Sequence, residues 1–160
     1  MALVLSGMLS GENAPEGRVP YQASLRSLQN SHFCGGTVLN SRWVLTAAHC
    51  TTGLLAGGDR YYVDQIVVHE EYDNVFIRND VSVVRTATEI EFSSRVQPIS
   101  LPEHNTGADA DLVLSGWGRT SMINLTSLDV DRCKDVYYGI NPVYDSQICS
   151  LTKSGEGACH

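Results

Sequence analysis

The amino-acid sequence predicts an all-β fold, and two observations carry the prediction. Short runs rich in Val, Leu and aromatic residues recur along the chain, and Gly, Asn, Asp and Pro separate them, as in β-barrels and sandwiches. No segment keeps a period near 3.6 residues, so long helices are not expected. The predicted strands are residues 21–25, 33–39, 43–47, 61–68, 81–85 and 112–117.

Each predicted strand is bounded by residues that favour turns. Pro20 precedes the first, and Asn30 lies between the first and the second. Asn40 separates the second from the third, and the Gly-Gly-Asp run at 57–59 precedes the fourth. Asp80 directly precedes the fifth. A single helical turn is predicted at Ala47-Ala48-His49, where the third strand ends.

Composition and charge exclude several classes of function. The chain has 160 residues, 42% of them apolar and 18% charged, which indicates a globular protein. A net charge of −7 without a Lys/Arg cluster argues against nucleic-acid binding. The apolar runs are too short to cross a membrane, so no membrane partner is expected. Residues 2–5 are apolar but too few for a signal-peptide core, and no recognisable signal peptide is predicted.

The most informative motif is Thr46-Ala47-Ala48-His49-Cys50. Cys34 lies 16 positions before Cys50, and Asp80 lies 31 positions after His49 at the head of an apolar run. General-base catalysis needs an imidazole that ionises near neutral pH and a buried carboxylate that holds its tautomer. His49 and Asp80 are therefore the candidate base and its orienting partner.

Motifs in the same order along the chain resemble the chymotrypsin/trypsin family of serine endopeptidases. The histidine signature spans residues 32–50, and Asn79-Asp80-Val81 lies in the aspartate signature. The linker and second-barrel motifs are Val96-Gln97-Pro98-Ile99 and Ser115-Gly116-Trp117-Gly118. Residues 155–160 resemble the approach to the family's Gly-Asp-Ser-Gly-Gly loop. The resemblance implies a double β-barrel, with the first barrel nearly complete and the second truncated.

The resemblance assigns roles to residues by number. It implies that His49 is the general base and Asp80 its orienter, as in the Ser-His-Asp triad, and that no nucleophilic serine lies within residues 1–160. The disulfides it implies are Cys34 with Cys50 and Cys133 with Cys149, leaving Cys159 unpaired. Five reduced thiols of an intracellular protein are the alternative.

Specificity and modification follow from other matched positions. Gly157 and Ala158 correspond to the specificity-pocket floor, where the lack of a carboxylate favours an apolar substrate side chain. Asn124-Leu125-Thr126 is the glycosylation candidate. The histidines lack metal-ligand spacing, so neither a metal nor another cofactor is expected.

The domain prediction is one incomplete protease domain over residues 1–160. Its first barrel is residues 11–98, and residues 99–160 form the linker and a partial second barrel. The family implies an extracellular monomer that, when completed, meets protein or peptide substrates and protease inhibitors. The activity implied is peptide-bond hydrolysis, although the chain alone is expected to be inactive. The alternatives are a non-catalytic homologue that binds proteins or inhibitors, and a truncated product without function.

Overall fold

The computed structural model describes residues 12–52, 61–117, 122–140 and 142–151. Its strands are β1 (Gln22–Arg26), β2 (His32–Val38), β3 (Trp43–Thr46), β4 (Val63–Val68), β5 (Ser82–Thr86), β6 (Asp111–Ser115), β7 (Met122–Leu128) and β8 (Cys149–Leu151). The helices are α1 (Ala48–Thr51) and α2 (Val130–Val136). This composition confirms the all-β prediction, and α1 lies where the single helical turn was predicted. None of the helices in the described ranges is long and apolar enough to span a membrane.

The chain divides into two compact units. One spans Pro15–Leu101, and the other holds the described residues on either side of it. The first contains a five-stranded antiparallel sheet in the order β1-β2-β3-β5-β4. The second contains a three-stranded antiparallel sheet in the order β6-β7-β8. Within the described residues neither sheet closes into a barrel.

One row of aliphatic side chains crosses four strands of the five-stranded sheet. Val38 pairs with Val44, Val44 with Val84, and Val84 with Ile66. Val38, Val44 and Val84 are buried, and together with Ile90 they form the core of this unit. Side chains alternate between the two faces of a strand, so this row fixes which face of β3 and β5 points inward.

Gly36 in the Cys34-Gly35-Gly36 motif is required by close packing. A Cβ atom there would lie 2.8 Å from Val44 Cγ1, 2.9 Å from Leu25 Cδ1 and 3.0 Å from the Leu45 carbonyl oxygen. Any side chain at this position would push β2 away from β3. Gly36 therefore allows β2 to lie close to β3, the strand that leads into α1.

The second unit has its buried residues on β7 and α2. Met122, Ile123 and Ser127 of β7 are buried, as is Cys133 of α2. The Ser127 hydroxyl donates to the Gly107 carbonyl at 2.6 Å and accepts from the Ala110 N–H at 2.8 Å. This buried hydroxyl is satisfied at both its donor and its acceptor and fixes the turn that leads into β6.

Candidate active site

The candidate site lies where β3 ends and β5 begins. These strands are antiparallel, and Thr46 at the end of β3 pairs with Ser82 at the start of β5. The residues that follow Thr46 must therefore lie close to the residues that precede Ser82, at the same end of these two paired strands. This register brings His49 and Asp80 together although 31 residues separate them.

Asp80 holds His49 with two hydrogen bonds from the same carboxylate. Oδ1 accepts from the His49 backbone N–H at 2.8 Å, and Oδ2 lies 2.6 Å from the ring Nδ1. An ionised carboxylate can only accept, so this contact places a hydrogen on Nδ1, and in the neutral ring the lone pair is then on Nε2. Asp80 is 1% exposed, whereas 43% of the His49 side chain is exposed. The arrangement fixes the orientation of the imidazole and leaves part of it exposed.

The backbone hydrogen bond gives Asp80 a second function in the fold. Helix α1 begins after Ala47, which has no side chain able to cap the free N–H groups of the first turn. Asp80 accepts the His49 N–H from across the sheet and replaces the missing cap. The same carboxylate thus orients the imidazole and anchors the turn that carries it.

Two hydroxyl groups link the α1 region to β5 by hydrogen bonds. The buried Ser82 hydroxyl donates to the Ala47 carbonyl at 3.1 Å, and Thr51 Oγ1 lies 3.0 Å from Ser82 Oγ. Both side chains are under 5% exposed. Neither was predicted from the sequence, although Ser82, Val84 and Thr86 are alternate buried positions of β5 that its period of two could have indicated.

The Cys34–Cys50 disulfide links α1 to a second strand, β2. It joins β2 to the residue that follows His49. Thr46 Oγ1 donates to the Gly35 carbonyl at 2.8 Å, which adds a second link between β2 and the approach to His49. His49 is thus tied to β2 through the disulfide and to β5 through Asp80.

The loop before Asp80 is held in place by the side chain of Asn79. Asn79 has a positive φ of 52°, and its side-chain amide donates to the Glu71 carbonyl at 3.0 Å. Burial, with the nearby carboxylates of Asp80 and Asp73, raises the pKa of Tyr72, so this phenol stays neutral beside the site. No sequence signal pointed to Tyr72, because it lies in a loop without periodicity.

One group of metal-ligand residues occurs in the described ranges, and it belongs to this site. Ligand atoms of Cys34, His49 and Cys50 lie within 4.8 Å of one another. Both sulfurs are joined in the disulfide, and metals bind the thiolate form of cysteine. His49 Nε2 is 3.4 Å from Cys50 Sγ, and a disulfide sulfur has no hydrogen to donate, so the lone pair of Nε2 remains available.

The other predicted site residues belong to the second unit or lie outside the described residues. Cys133 and Cys149 form the second disulfide, which joins α2 to β8. Asn124 is exposed on β7, where it pairs with Val113 of β6. Gly157, Ala158 and Cys159 lie outside the described residues.

Comparison with known proteins assigns nearly the whole chain to one family. The sequence model of the trypsin family matches residues 8–160. Chymotrypsin-2 of Vespa crabro is 36% identical, with 95% of this chain and 78% of that protein covered. Trypsin II-P29 of Gallus gallus is 30% identical, covering 95% of this chain and 70% of that protein. Serine protease 1 of Rattus norvegicus is 30% identical, covering 93% and 63% respectively.

Proposed function

Because this chain belongs to the trypsin family of serine proteases, we propose that it carries the base and the orienting carboxylate of a chymotrypsin-like endopeptidase. His49 is the base and Asp80 the orienter. The observation that supports these roles is the pair of hydrogen bonds from the His49 backbone and ring to one buried carboxylate. Proteases of this family act on protein or peptide substrates.

The proposed chemistry follows from the protonation of the ring. With hydrogen on Nδ1, Nε2 can take the proton of an attacking hydroxyl and later donate it to the leaving amine. Asp80 stabilises the imidazolium that forms in between, because its charge lies 2.6 Å from Nδ1. The carboxylate is already buried and oriented, so it does not have to reorganise during the reaction.

Specificity and location are part of the proposal. Gly157 and Ala158, at the positions of the pocket floor, carry no charge and favour an apolar substrate side chain over Lys or Arg. The two disulfides are typical of oxidising compartments, which suits an extracellular protease.

Asn124 is the proposed acceptor for an N-linked glycan, and its exposure on β7 is compatible with this. Protease inhibitors are the further class of partner that we propose.

We expect the polypeptide of residues 1–160 alone to be catalytically silent. It contains no Gly-Asp-Ser-Gly-Gly motif, so no hydroxyl is matched to the nucleophile position. Loss of the serine alone reduced turnover by about 10⁶ in another triad protease. The test is incubation with a serine-directed fluorophosphonate probe and with peptide substrates, beside a commercial trypsin as positive control.

The expected result is neither covalent labelling nor hydrolysis above background. Stoichiometric labelling that His49→Ala abolishes would contradict the expectation and would reveal a nucleophile among residues 1–160. Labelling that persists in His49→Ala would instead indicate reactivity unrelated to the candidate site.

A further inference from the structure

Three side chains of types that bind metals meet at His49, and the disulfide bond occupies two of them. The sulfurs of Cys34 and Cys50 and a ring nitrogen of His49 lie within 4.8 Å of one another. His49 Nε2 is 3.4 Å from Cys50 Sγ. Tetrahedral zinc, with Zn–S of about 2.3 Å and Zn–N of about 2.0 Å, holds such a pair of ligand atoms about 3.6 Å apart. This nitrogen and this sulfur are therefore already spaced as ligands of one ion.

Asp80 orients the His49 ring as the outer partner of a metal ligand does. Histidines that bind metals almost always donate their other ring N–H to a carboxylate or a carbonyl, which fixes the tautomer and the direction of the ring. Asp80 Oδ2 lies 2.6 Å from Nδ1, which leaves Nε2, the nitrogen beside Cys50 Sγ, as the ligand atom. The buried carboxylate therefore prepares His49 for a metal ion as well as for a proton.

The segments that carry the two cysteines are joined by more than the disulfide. Cys34 lies on β2 and Cys50 on α1, which directly follows β3. Thr46, at the end of β3, donates to the Gly35 carbonyl of β2 at 2.8 Å, and β2 also pairs with β3 through the backbone. Because none of these hydrogen bonds involves a sulfur, we expect the two thiols to remain close to His49 when the bridge is reduced.

Opening the bridge requires two electrons, which a dithiol supplies. A thiolate of the dithiol attacks a bridge sulfur, passes through a mixed disulfide and ends as an intramolecular disulfide, leaving Cys34 and Cys50 as thiols. Cys34 offers the more accessible sulfur, since it is partly exposed whereas Cys50 is buried. Each thiol then gives its proton to solvent as its sulfur binds the metal.

We propose that the reduced chain binds one Zn²⁺ ion through Cys34 Sγ, Cys50 Sγ and His49 Nε2. Zinc is the ion because it suits both thiolate and imidazole ligands. Two cysteines and one histidine, with water in the fourth position, are an established ligand set for zinc. The 43% exposure of the His49 side chain leaves the site open to solvent for that water. The sequence-based expectation of no metal rested on the spacing of the histidines, whereas two of these ligands are cysteines.

Zinc binding and base catalysis exclude each other at His49. The ion takes the Nε2 lone pair that the proposed base uses, so the reduced, zinc-bound chain is blocked at this residue and the oxidised chain is not. This consequence rests on the proposed function, but the zinc site rests only on the geometry of its ligands. A failed zinc titration beside the expected His49 tautomer in the oxidised chain would therefore overturn the zinc site alone.

The test is a zinc titration of the chain of residues 1–160, in competition with a chromophoric chelator. The chain is reduced under nitrogen with a water-soluble phosphine, which is removed before Zn²⁺ is added. The reduced wild type should bind zinc at least about a hundredfold more tightly than the oxidised chain, because metals bind the thiolate form of cysteine.

Variants of the reduced chain locate the ion. Asp80→Asn keeps all three ligands and should weaken zinc binding about 10–100-fold, as the loss of an outer partner does, and His49→Gln should weaken it at least as much. His69→Gln is the matched control for His49, because His69 is also an exposed histidine. Cys133→Ala/Cys149→Ala is the matched control for the thiols, because it removes the cysteines of the other disulfide. Both controls should leave the zinc affinity unchanged.

Urea unfolding covers the case in which reduction destabilises the chain. An ion that binds the folded form raises the urea midpoint, so zinc should raise it for the reduced wild type but not for reduced His49→Gln. Equal zinc affinities of the oxidised and reduced chains would overturn the proposal, as would a reduced wild type that zinc does not stabilise. Zinc binding that neither His49→Gln nor Asp80→Asn weakens would also overturn it, since thiols of an unfolded chain would then be the ligands.

Discussion

Replacing Asp80 with alanine should lower the free energy of unfolding of its unit by about 3 kcal/mol. The variant leaves both the His49 backbone N–H and the ring Nδ1–H without their acceptor. Hydrogen bonds to charged groups contribute about 1.5–3 kcal/mol each. Removing a buried carboxylate relieves part of its desolvation cost, so the net loss is smaller than the sum of the two. Urea unfolding followed by Trp43 fluorescence in a Trp117→Phe background measures it.

Asp64→Ala is the matched control for Asp80→Ala. Asp64 also accepts two hydrogen bonds, from Arg85, but 35% of its side chain is exposed. Exposed ion pairs are screened by solvent and contribute little to stability, so this variant should lose much less than Asp80→Ala. Equal losses in the two variants would contradict the assignment of Asp80 as the acceptor that anchors α1.

Removing the Cys34–Cys50 disulfide by double alanine substitution should cost about 3 kcal/mol and disturb His49 as well. The bridge spans 16 residues, close to the loop length for which chain entropy predicts that loss. It also holds the residue next to His49 against β2. We therefore expect a lower urea midpoint for Trp43 and shifted NMR signals of the His49 ring.

The second disulfide provides the control, because Cys133 and Cys149 are also 16 residues apart. Its removal should cost a similar free energy by the same entropic argument, but it should leave the His49 ring signals in place. If the His49 signals moved equally in both double variants, or in neither, the Cys34–Cys50 bridge would have no special part in positioning the imidazole.

The sequence predicted the strands well because local chemistry marks them. Six predicted runs correspond to β1–β6, since each combines apolar residues with bounding turn residues. Helix α2 was not predicted, because seven residues are too few for a periodic signal. Its cues were local: the Asp129 side chain caps the N–H groups of Asp131 and Arg132, and Lys134 lies in the last turn.

The contents of the candidate site were only partly predictable. The His49 and Asp80 motifs were recognisable, but their contact depends on the Thr46–Ser82 register, which no local signal gives. The additional anchors, Ser82 and Thr51, are buried polar residues. The period of two along β5 could have indicated that Ser82 is buried, but no pattern in the sequence identifies the groups that the two hydroxyls contact. Only the assembled sheet shows that they join α1 to β5.

The tautomer of His49 is the measurement that tests the proposed base–orienter pair most directly. Long-range proton–nitrogen NMR of the ¹⁵N-histidine-labelled chain, at about pH 8.5 and so about two units above the usual histidine pKa, distinguishes protonated from bare ring nitrogens. His49→Gln assigns the signal among the five histidines. We expect hydrogen on Nδ1 and a bare Nε2, and a shift of hydrogen towards Nε2 in Asp80→Asn, whose amide N–H groups can face Nδ1. A wild-type His49 with hydrogen on Nε2, or a tautomer that Asp80→Asn leaves unchanged, would contradict the account.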